Sequence, residues 1–527
     1  MRRISAFVLP FSAAIALILC CCAAFVGLTG SSLWVDELFT AYFADPAQAT
    51  SSDVILRAAE DVHPPGYYLL VWAVARQTGL DFVLASRGAS AVLAILALGL
   101  VALAPTRTVT ALPRVLAAAF AASSYMWFEY SQEARSYALC FMLVAGLMCF
   151  ALRCIAPLQS GRIPVGPLAG VVMVSVLAAL SHYYAVLLSG AVFSMLLCFC
   201  RSWRAFFTVS LSGLFVLAVA SGFVAWHVPR MLADSSQTWF SADASFLVAQ
   251  TRIGLGDLLG RTASRLFILL LIVLTLVASM LRPIGQTWAL LKDGHFWMPV
   301  VFLAGVFGLT IAYGVGVTIG VVQMFSFRLF VLLAPVLWIG LAYALHVFLC
   351  QTPPGRLRLG ASLVLALALL GATAIVQNRG ALDSQAWRQS AHIISELEGC
   401  SAATLPVMWW DQPFTGDDSP EWFYGYYLPA APERDWITIP RNEALVGLTS
   451  EHMGALVAAT ATGARSCPVV LWSVHMHGAT SIEEMQEALQ AHVPADAQMS
   501  VKAQIILPPE AEYWEHARLF TLEAVGQ

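Results

Sequence analysis

Acidic, histidine and tyrosine residues are concentrated in two short motifs that follow the first hydrophobic segment. The first is Trp34-Val35-Asp36-Glu37, and the second runs from Asp61 through His63-Pro64-Pro65-Gly66-Tyr67-Tyr68. A carboxylate can accept a proton from an attacking hydroxyl, and a histidine can offer an anion a hydrogen bond or a positive charge. The paired prolines stiffen the backbone and would aim His63 at a fixed point. The stretch from 31 to 68 is therefore a candidate active-site loop.

Three further polar motifs fall in short connections between hydrophobic segments. They are Glu133-Ala134-Arg135-Ser136-Tyr137, Ser181-His182-Tyr183-Tyr184, and the stretch from Gln323 to Arg328. Taken alone, each is most simply an ordinary turn at a membrane surface, where tyrosines commonly lie. Taken together, they place acids, arginines, histidines and tyrosines on one side of a membrane at one depth, which favours a single site.

Composition places most of the chain in a lipid bilayer. Of its 527 residues, 59% are hydrophobic and 11% are charged, against roughly 25% charged in soluble domains. A soluble core could not bury so much apolar surface, so the bilayer must solvate most of the chain. The net charge of −4 and the lack of a dense Lys/Arg cluster argue against nucleic-acid binding.

Long apolar segments predict a polytopic all-α membrane domain. The chain starts with Arg2 and Arg3 before an uncharged run from Ile4 to Val35. A signal peptide starts in the same way, but the run is long and lacks an Ala-x-Ala-like cleavage site, so we expect a retained helix. With the later segments it predicts about eleven transmembrane helices, each near the ~20 residues that span the hydrocarbon core. The later segments cover residues 82–104, 115–130, 138–152, 166–181, 184–200, 206–226, 265–281, 296–315, 329–350 and 358–377.

The distribution of basic residues predicts the orientation. If the amino terminus is cytoplasmic, every inner connection carries two basic residues, as cytoplasmic loops usually do. These pairs are Arg107 and Arg114, Arg153 and Arg162, Arg201 and Arg204, Arg282 and Lys292, and Arg356 and Arg358. The candidate active-site loop and the carboxyl terminus then lie on the extracytoplasmic side of a bacterial inner membrane.

A change of composition after Gln377 divides the chain into two predicted domains. Residues 1–377 would form the membrane domain, with the active-site loop at 29–81, and residues 378–527 an extracytoplasmic soluble α/β domain. Within the loop, Leu38 to Ala44 and Ser52 to Ala59 predict short interfacial helices, and Gly66 to Val74 the start of another helix.

Helical and strand patterns are recognisable in the second domain. Ser384 to Glu398 predicts a helix with one apolar face that consists of Trp387, Ala391, Ile394 and Leu397. A capping box at Ser481 opens a second helix. Predicted strands are Val407 to Trp409, Val469 to Trp472 and Val501 to Leu507. Cys400 and Cys467 could form a disulfide in that compartment or remain buried thiols.

The motifs occur in the order found in a known family. Trp34-Val35-Asp36-Glu37, His63-Pro64-Pro65-Gly66-Tyr67-Tyr68, Glu133 to Leu139, Phe327-Arg328-Leu329 through Pro335, and Gln385-Ala386-Trp387-Arg388-Gln389-Ser390-Ala391 resemble those of the GT-C membrane glycosyltransferases. The chain looks like the bacterial branch related to protein O-mannosyltransferases and to the lipid A aminoarabinose transferase.

This resemblance implies a glycosyltransferase with a polyprenyl-phosphate-linked sugar donor, usually acting with inversion. The acceptor would be a glycan, lipid or protein of the cell envelope, and the sugar a hexose or a pentose. By position Asp36 matches the loop carboxylate that acts as general base. Glu37 could be a second acid or a metal ligand. We expect no cofactor, although a divalent cation is possible because some relatives use one.

The resemblance also implies a donor site. Arg135 and Arg328 are candidates to stabilise the leaving phosphate, with His63 donating a hydrogen bond or charge. Glu133 would orient Arg135 or contact the sugar. Neighbouring polar groups that would complete the donor site are Tyr137, His182 and Tyr183.

A transporter or flippase of lipid-linked sugars is the alternative. It would explain the many helices and the lipid site, but it predicts ionisable residues near the middle of several spans. Here the spans are almost free of charge and the polar residues cluster at one face. The pattern therefore favours chemistry at the membrane surface.

Overall fold

The structure is a computed structural model that describes most of the membrane segments and parts of the C-terminal region. The described residues are 2–59, 61–234, 240–259, 262–280, 294–352, 356–377, 385–397, 407–410, 425–428, 438–439, 469–474, 482–491, 493–506 and 517–524. Cys400, Cys467 and the first residue of the capping box, Ser481, lie outside these ranges.

The chain is mostly helical up to Gln377. Its helices are α1 Arg2–Ala23, α2 Val35–Ala44, α3 Ser51–Ala58, α4 Gly66–Thr78, α5 Phe82–Leu103, α6 Ala111–Ala122, α7 Tyr125–Ser131, α8 Tyr137–Gln159, α9 Val165–Ala179, α10 Tyr183–Cys198, α11 Trp203–Asp234, α12 Ala244–Leu258, α13 Thr262–Met280, α14 Gly294–Gly320, α15 Leu329–Gln351 and α16 Arg356–Gln377. Among the described residues, 6 helices are long and apolar enough to cross a membrane. Other predicted spans correspond to shorter apolar helices, so length and composition do not establish the predicted count of about eleven.

Helix α8 lies at the centre of the membrane unit. In the most apolar 18-residue stretch of α8, 83% of the residues are buried. The corresponding share in α11 is 17%, so α11 is peripheral. Small residues such as Ala145, Gly146 and Ala151 line α8, and they allow neighbouring helices to approach closely. The amino end of α8, which follows the Glu133 motif, is therefore held rigidly.

The predicted segment 115–130 forms two helices instead of one. Helix α6 ends at Ala122, and α7 begins after Ser124, whose hydroxyl accepts a hydrogen bond from the Trp127 N–H at 3.2 Å. The adjacent Ser123 hydroxyl lies 2.9 Å from that of Thr373. Consecutive serines offer the backbone local side-chain partners, which explains the break.

Short helices precede the second long segment. Helices α2 and α3 correspond to the predicted interfacial pieces. Thr50 and Asp53 form a capping box at the start of α3. Helix α4 follows Pro65 and ends at Gly79, whose φ of 65° is the left-handed conformation common after helices.

Two compact units can be distinguished in the chain. The first comprises residues 1–28 and 43–380, and the second comprises residues 29–42 and 381–527. The stretch that carries Asp36 and Glu37 thus groups with the C-terminal region, whereas the sequence analysis placed it in the membrane domain.

A mixed sheet forms the core of the second unit. Its strands are β1 Val407–Trp410, β2 Thr438–Ile439, β3 Val469–Val474, β4 Met499–Ile506 and β5 Ala517–Ala524, in the order β2-β1-β3-β5-β4. Strand β1 is parallel to β2 and β3, while β5 is antiparallel to β3 and β4. The predicted strands correspond to β1, β3 and β4, whereas β5, which lies between β3 and β4, was not predicted.

Two helices accompany the sheet. Helix α17 Trp387–Ser395 buries three residues of the predicted apolar face, Trp387, Ala391 and Ile394, whereas the helix ends before Leu397, the fourth. Helix α18 Ile482–Ala491 is the second predicted helix. Its Gln486 and Gln490 donate to the carbonyls of Val501 and Met499 and thereby attach α18 to β4.

Candidate active site

Two of the polar turns in the first unit are joined by a direct backbone contact. The Gly66 N–H donates to the Leu180 carbonyl at 2.9 Å. A Cβ atom at Gly66 would lie 2.5 Å from that carbonyl oxygen, so a glycine is required for this approach. The contact brings the His63 motif against the Ser181-His182 turn. The rings of His63 and His182 accordingly meet edge to face, 5.2 Å apart.

Arg135 lies between His63 and Tyr68. Its Nη2 is 3.0 Å from Nδ1 of His63, and its Nη1 donates to the Tyr68 hydroxyl at 3.2 Å. All three side chains are buried. A guanidinium is always charged and presents several donors in a fixed plane, which makes it suitable for binding phosphate oxygens.

Asp61 completes this cluster. Its Oδ2 accepts from the Tyr68 hydroxyl at 2.5 Å and lies 3.3 Å from Nδ1 of His63. Burial alone would raise the pKa of the carboxyl, but hydrogen bonds from His63 and Tyr68 and the charge of Arg135 together hold the pKa well below its usual range. Asp61 is therefore an anion at neutral pH. The sequence analysis named Asp61 in the motif without assigning it a role.

His182 has a buried ring nitrogen that faces a cationic environment. Its Nδ1 accepts a hydrogen bond from the Tyr184 N–H at 3.2 Å, so the neutral ring carries its proton on Nε2. Among the described residues this Nε2 has no hydrogen-bond partner. Burial, followed by the charges of His63, Arg135 and Arg328, lowers the pKa of His182 well below its usual value. The neutral ring can therefore donate a hydrogen bond from Nε2 to a bound acceptor.

Arg328 belongs to the same electrostatic environment, as its effect on His182 shows. It precedes α15, and its backbone N–H donates to the Ser326 hydroxyl at 3.3 Å. The Tyr184 hydroxyl lies 2.8 Å from Ser326 Oγ and also donates to the Met324 carbonyl. Tyr184 therefore holds the segment before Arg328 in place beside His182.

Tyr137 borders the cluster, whereas the Tyr183 hydroxyl contacts a histidine on another helix. The Tyr137 ring centroid is 5.9 Å from that of His182. Glu133 is half-buried in the turn before α8. The Tyr183 hydroxyl instead contacts Nδ1 of His227 on α11, and His227 Nε2 lies 2.8 Å from the Ala58 carbonyl. Tyr183 thus ties α10 to α11 and the end of α3.

The acidic pair lies in the first turn of α2, in the second unit. The buried Glu37 carboxylate accepts the Trp34 N–H at 3.3 Å, which is one half of a capping box. Asp36 is half-buried beside it. Negative charge in a first helical turn is stabilised by the helix dipole. Glu37 therefore has a structural partner.

Among the described residues, no three His, Cys, Asp or Glu side chains are grouped closely enough to hold a metal ion. His475 and His477 lie outside the described ranges.

Comparisons with known proteins identify the fold. No protein-family model and no curated protein sequence matches the chain. The structure is similar to ArnT from Cupriavidus metallidurans in the apo state, with a TM-score of 0.54 and 14% identity over 97% of both chains. It is also similar to ArnT from the same organism bound to undecaprenyl phosphate, with a TM-score of 0.51 and 13% identity over 97% of both chains. These likenesses show that the chain shares the fold of ArnT.

Proposed function

We propose that the protein is a glycosyltransferase that moves a sugar from a polyprenyl-phosphate donor to an extracytoplasmic acceptor. The observation that carries the proposal is the buried Nε2–H of His182, which has no partner among the described residues and lies within the influence of the Arg135 and Arg328 charges. A buried donor among cations is the arrangement that an oxyanion fills. The fold shared with a protein that binds undecaprenyl phosphate supports a lipid-linked phosphate as that anion.

The cation cluster would act mainly on the leaving group. The donor's phosphodiester carries one negative charge, and breaking the bond from the sugar carbon to the phosphate oxygen leaves a phosphomonoester with nearly two. Hydrogen-bond donors of the protein that are already in place stabilise the phosphate charge as it develops, and they need no reorganisation. Arg135, Arg328 and His182 would bind the phosphate. His63 would orient Arg135, and Glu133 would orient Arg135 or contact the sugar.

Asp61 and Tyr68 would keep Arg135 oriented. The guanidinium donates to Tyr68, and Tyr68 donates to Asp61, so the chain of hydrogen bonds ends on a carboxylate. Such networks fix the rotamer of a binding arginine. Asp61 also offers His63 Nδ1 an acceptor when the imidazole is protonated. Tyr137 would form part of the wall beside His182.

Asp36 would act as the general base. It would accept the acceptor hydroxyl's proton as the new bond to the sugar forms, with inversion at the sugar carbon. The motif order and its position in the first turn of α2 support this role. Glu37, whose carboxylate caps the same turn, would hold the helix start.

The active site would face the outside of a bacterial inner membrane, with the amino terminus in the cytoplasm. The first unit would then form the membrane domain, and the C-terminal unit would lie outside. Hexose and pentose donors, and glycan, lipid and protein acceptors, all remain compatible with the cluster, because the proposed contacts are to phosphate.

Purified protein in lipid nanodiscs tests the proposal. It is incubated with radiolabelled polyprenyl-phosphate sugars, with and without cell-envelope acceptors. A transferase releases polyprenyl phosphate in an acceptor-dependent manner. If the protein in liposomes moves intact donor across the bilayer and releases no polyprenyl phosphate, the alternative function, a flippase, is correct instead.

A further inference from the structure

The segment that leads into α2 is held by side chains from one short motif. Arg388 Nη1 donates to the Thr29 carbonyl at 2.8 Å and to the Gly30 carbonyl at 3.2 Å. The Ser32 hydroxyl accepts the Arg388 N–H at 3.1 Å and lies 3.3 Å from Gln389 Oε1. These contacts all lie within the second unit.

Gln385 fixes the first residue of α2. Its Oε1 accepts the Val35 N–H at 2.9 Å and the Trp387 Nε1–H at 2.7 Å. The first N–H groups of a helix have no partner inside the helix, so an external acceptor sets where the helix begins. Asp36 is the next residue, and its position follows from that of Val35.

Tyr427 contacts the same segment. Its hydroxyl accepts the Leu33 N–H at 2.6 Å. The Arg388 guanidinium lies 5.8 Å from the centre of its ring, within the range of a cation–π contact. We use the name Gln385 clamp for Gln385, Arg388, Gln389 and Tyr427.

The clamp is anchored in the core of the second unit. Trp387 is buried and meets Trp472 of β3 edge to face at 6.0 Å. The Trp472 Nε1–H donates to Ser390 Oγ at 2.9 Å. Helix α17 is thus fixed to the sheet, and the segment 29–35 is fixed to α17.

We propose that the Gln385 clamp is the positioning element for the Asp36 carboxylate, so that the C-terminal unit sets the geometry of the base. Ordering a residue of irregular backbone costs conformational entropy, and the segment 29–34 lies outside helix and sheet. Its order therefore depends on the side chains that bind it. A misplacement of about 1 Å can slow a reaction ~100-fold. This inference rests on the proposed role of Asp36.

Gln385→Met tests the clamp because it keeps the length of the side chain and removes its acceptor. We expect turnover to fall about 10- to 100-fold, with the KM for donor unchanged because no donor-phosphate residue is altered. Gln385→Glu keeps an acceptor oxygen and should restore most of the turnover. His392→Ala, an exposed site on the same helix, is the matched control.

Hydrogen exchange gives a readout that does not depend on activity. In Gln385→Met, amides of residues 29–36 should exchange faster while those of 61–68 stay unchanged. Faster exchange with wild-type turnover would overturn the positioning role, as would unchanged exchange or equal acceleration of all peptides. If Asp36→Asn keeps full activity, the proposed base is wrong, and exchange still shows whether the clamp orders the segment.

Discussion

Nδ1 of His63 lies 3.0 Å from Nη2 of Arg135. The same nitrogen lies 3.3 Å from the Asp61 carboxylate. It can accept from the guanidinium when the ring is neutral at Nδ1, or donate to the carboxylate when it is protonated there. A phosphate that draws Arg135 towards itself would favour the second arrangement. The cluster can therefore rearrange its hydrogen bonds when an anion binds.

Arg135→Gln should weaken donor binding about 10- to 100-fold, because hydrogen bonds to charged groups contribute about 1.5–3 kcal/mol. Binding of polyprenyl phosphate to protein in nanodiscs measures the effect. Arg153→Gln is the control, since Arg153 lies near the other end of α8 and donates to the Leu103 carbonyl. Equal affinities of the two variants would remove Arg135 from the site.

Tyr68→Phe should destabilise the protein by about 1 kcal/mol and weaken donor binding several-fold, because it interrupts the link between Arg135 and Asp61. Tyr67→Phe is matched to it, since the Tyr67 hydroxyl is also buried but lies 2.8 Å from Ser90 Oγ. The thermal unfolding temperature should fall by a similar amount in both variants, whereas donor affinity should fall only in Tyr68→Phe. Unchanged donor affinity in Tyr68→Phe contradicts the proposed orienting role.

Donor affinity should rise as the pH falls below neutral. The pKa of His182 is well below 6.5 in the empty site, and a neighbouring phosphate raises it, so binding takes up a proton between the two values. The gain in donor affinity begins as the pH falls through the pKa that His182 has with phosphate bound. It is complete below the pKa that His182 has without phosphate. A phosphodiester donor has no second phosphate ionisation in this range.

His182→Gln isolates this contribution. The Gln amide keeps a donor but cannot take up a proton, so the slope of log affinity against pH from 7.5 to 5.5 should be smaller than in the wild type. Equal slopes in both proteins would show that His182 does not face the phosphate.

Gly66→Ala should destabilise the protein by about 1–3 kcal/mol, the usual effect of overpacking, and should weaken donor binding. The new Cβ would lie 2.5 Å from a backbone oxygen and separate the two histidine turns. Gly99→Ala in α5 has nothing within 4 Å of its Cβ, so it should be neutral or slightly stabilising. The two variants are compared by their thermal unfolding temperatures and their donor affinities. Wild-type values for Gly66→Ala would contradict the close approach of Gly66 to the Leu180 carbonyl.

Asp36→Asn should reduce turnover about 10²- to 10⁴-fold, the usual contribution of a general base, with donor binding unchanged. Glu37→Gln keeps an oxygen that can accept the Trp34 N–H, so it should retain both folding and turnover. Initial rates at saturating donor measure both variants. Full transfer by correctly inserted Asp36→Asn would falsify the assignment.

The membrane helices and the meeting of polar turns could be predicted because long apolar segments leave few arrangements for the short connections between them. The role of Asp61 could not, since its link to Arg135 through Tyr68 depends on how distant turns pack. The different contacts of Tyr183 and Tyr184 could not be predicted either, because the two tyrosines of this motif look alike in sequence. In α10, Tyr183 faces His227 while Tyr184 faces Ser326.

Elements in the second unit show the same limit. The motif from Gln385 to Ala391 was noticed for its resemblance alone, because nothing in its composition shows that it binds a segment some 350 residues earlier. Strand β5 was not predicted, although it pairs with both β3 and β4. Serine pairs inside apolar runs, such as Ser123 and Ser124, are a signal that could have located the break before α7.

Helix α11 has 32 residues, which corresponds to about 48 Å, against a hydrocarbon thickness of about 30 Å. Such a helix must tilt or protrude, and the extent depends on the surrounding lipid. Because His227 latches this helix to Ala58 and Tyr183, a change of tilt reaches the loop that carries Asp61 and His63. Bilayers of different acyl-chain length should therefore change the proposed transfer activity through hydrophobic mismatch.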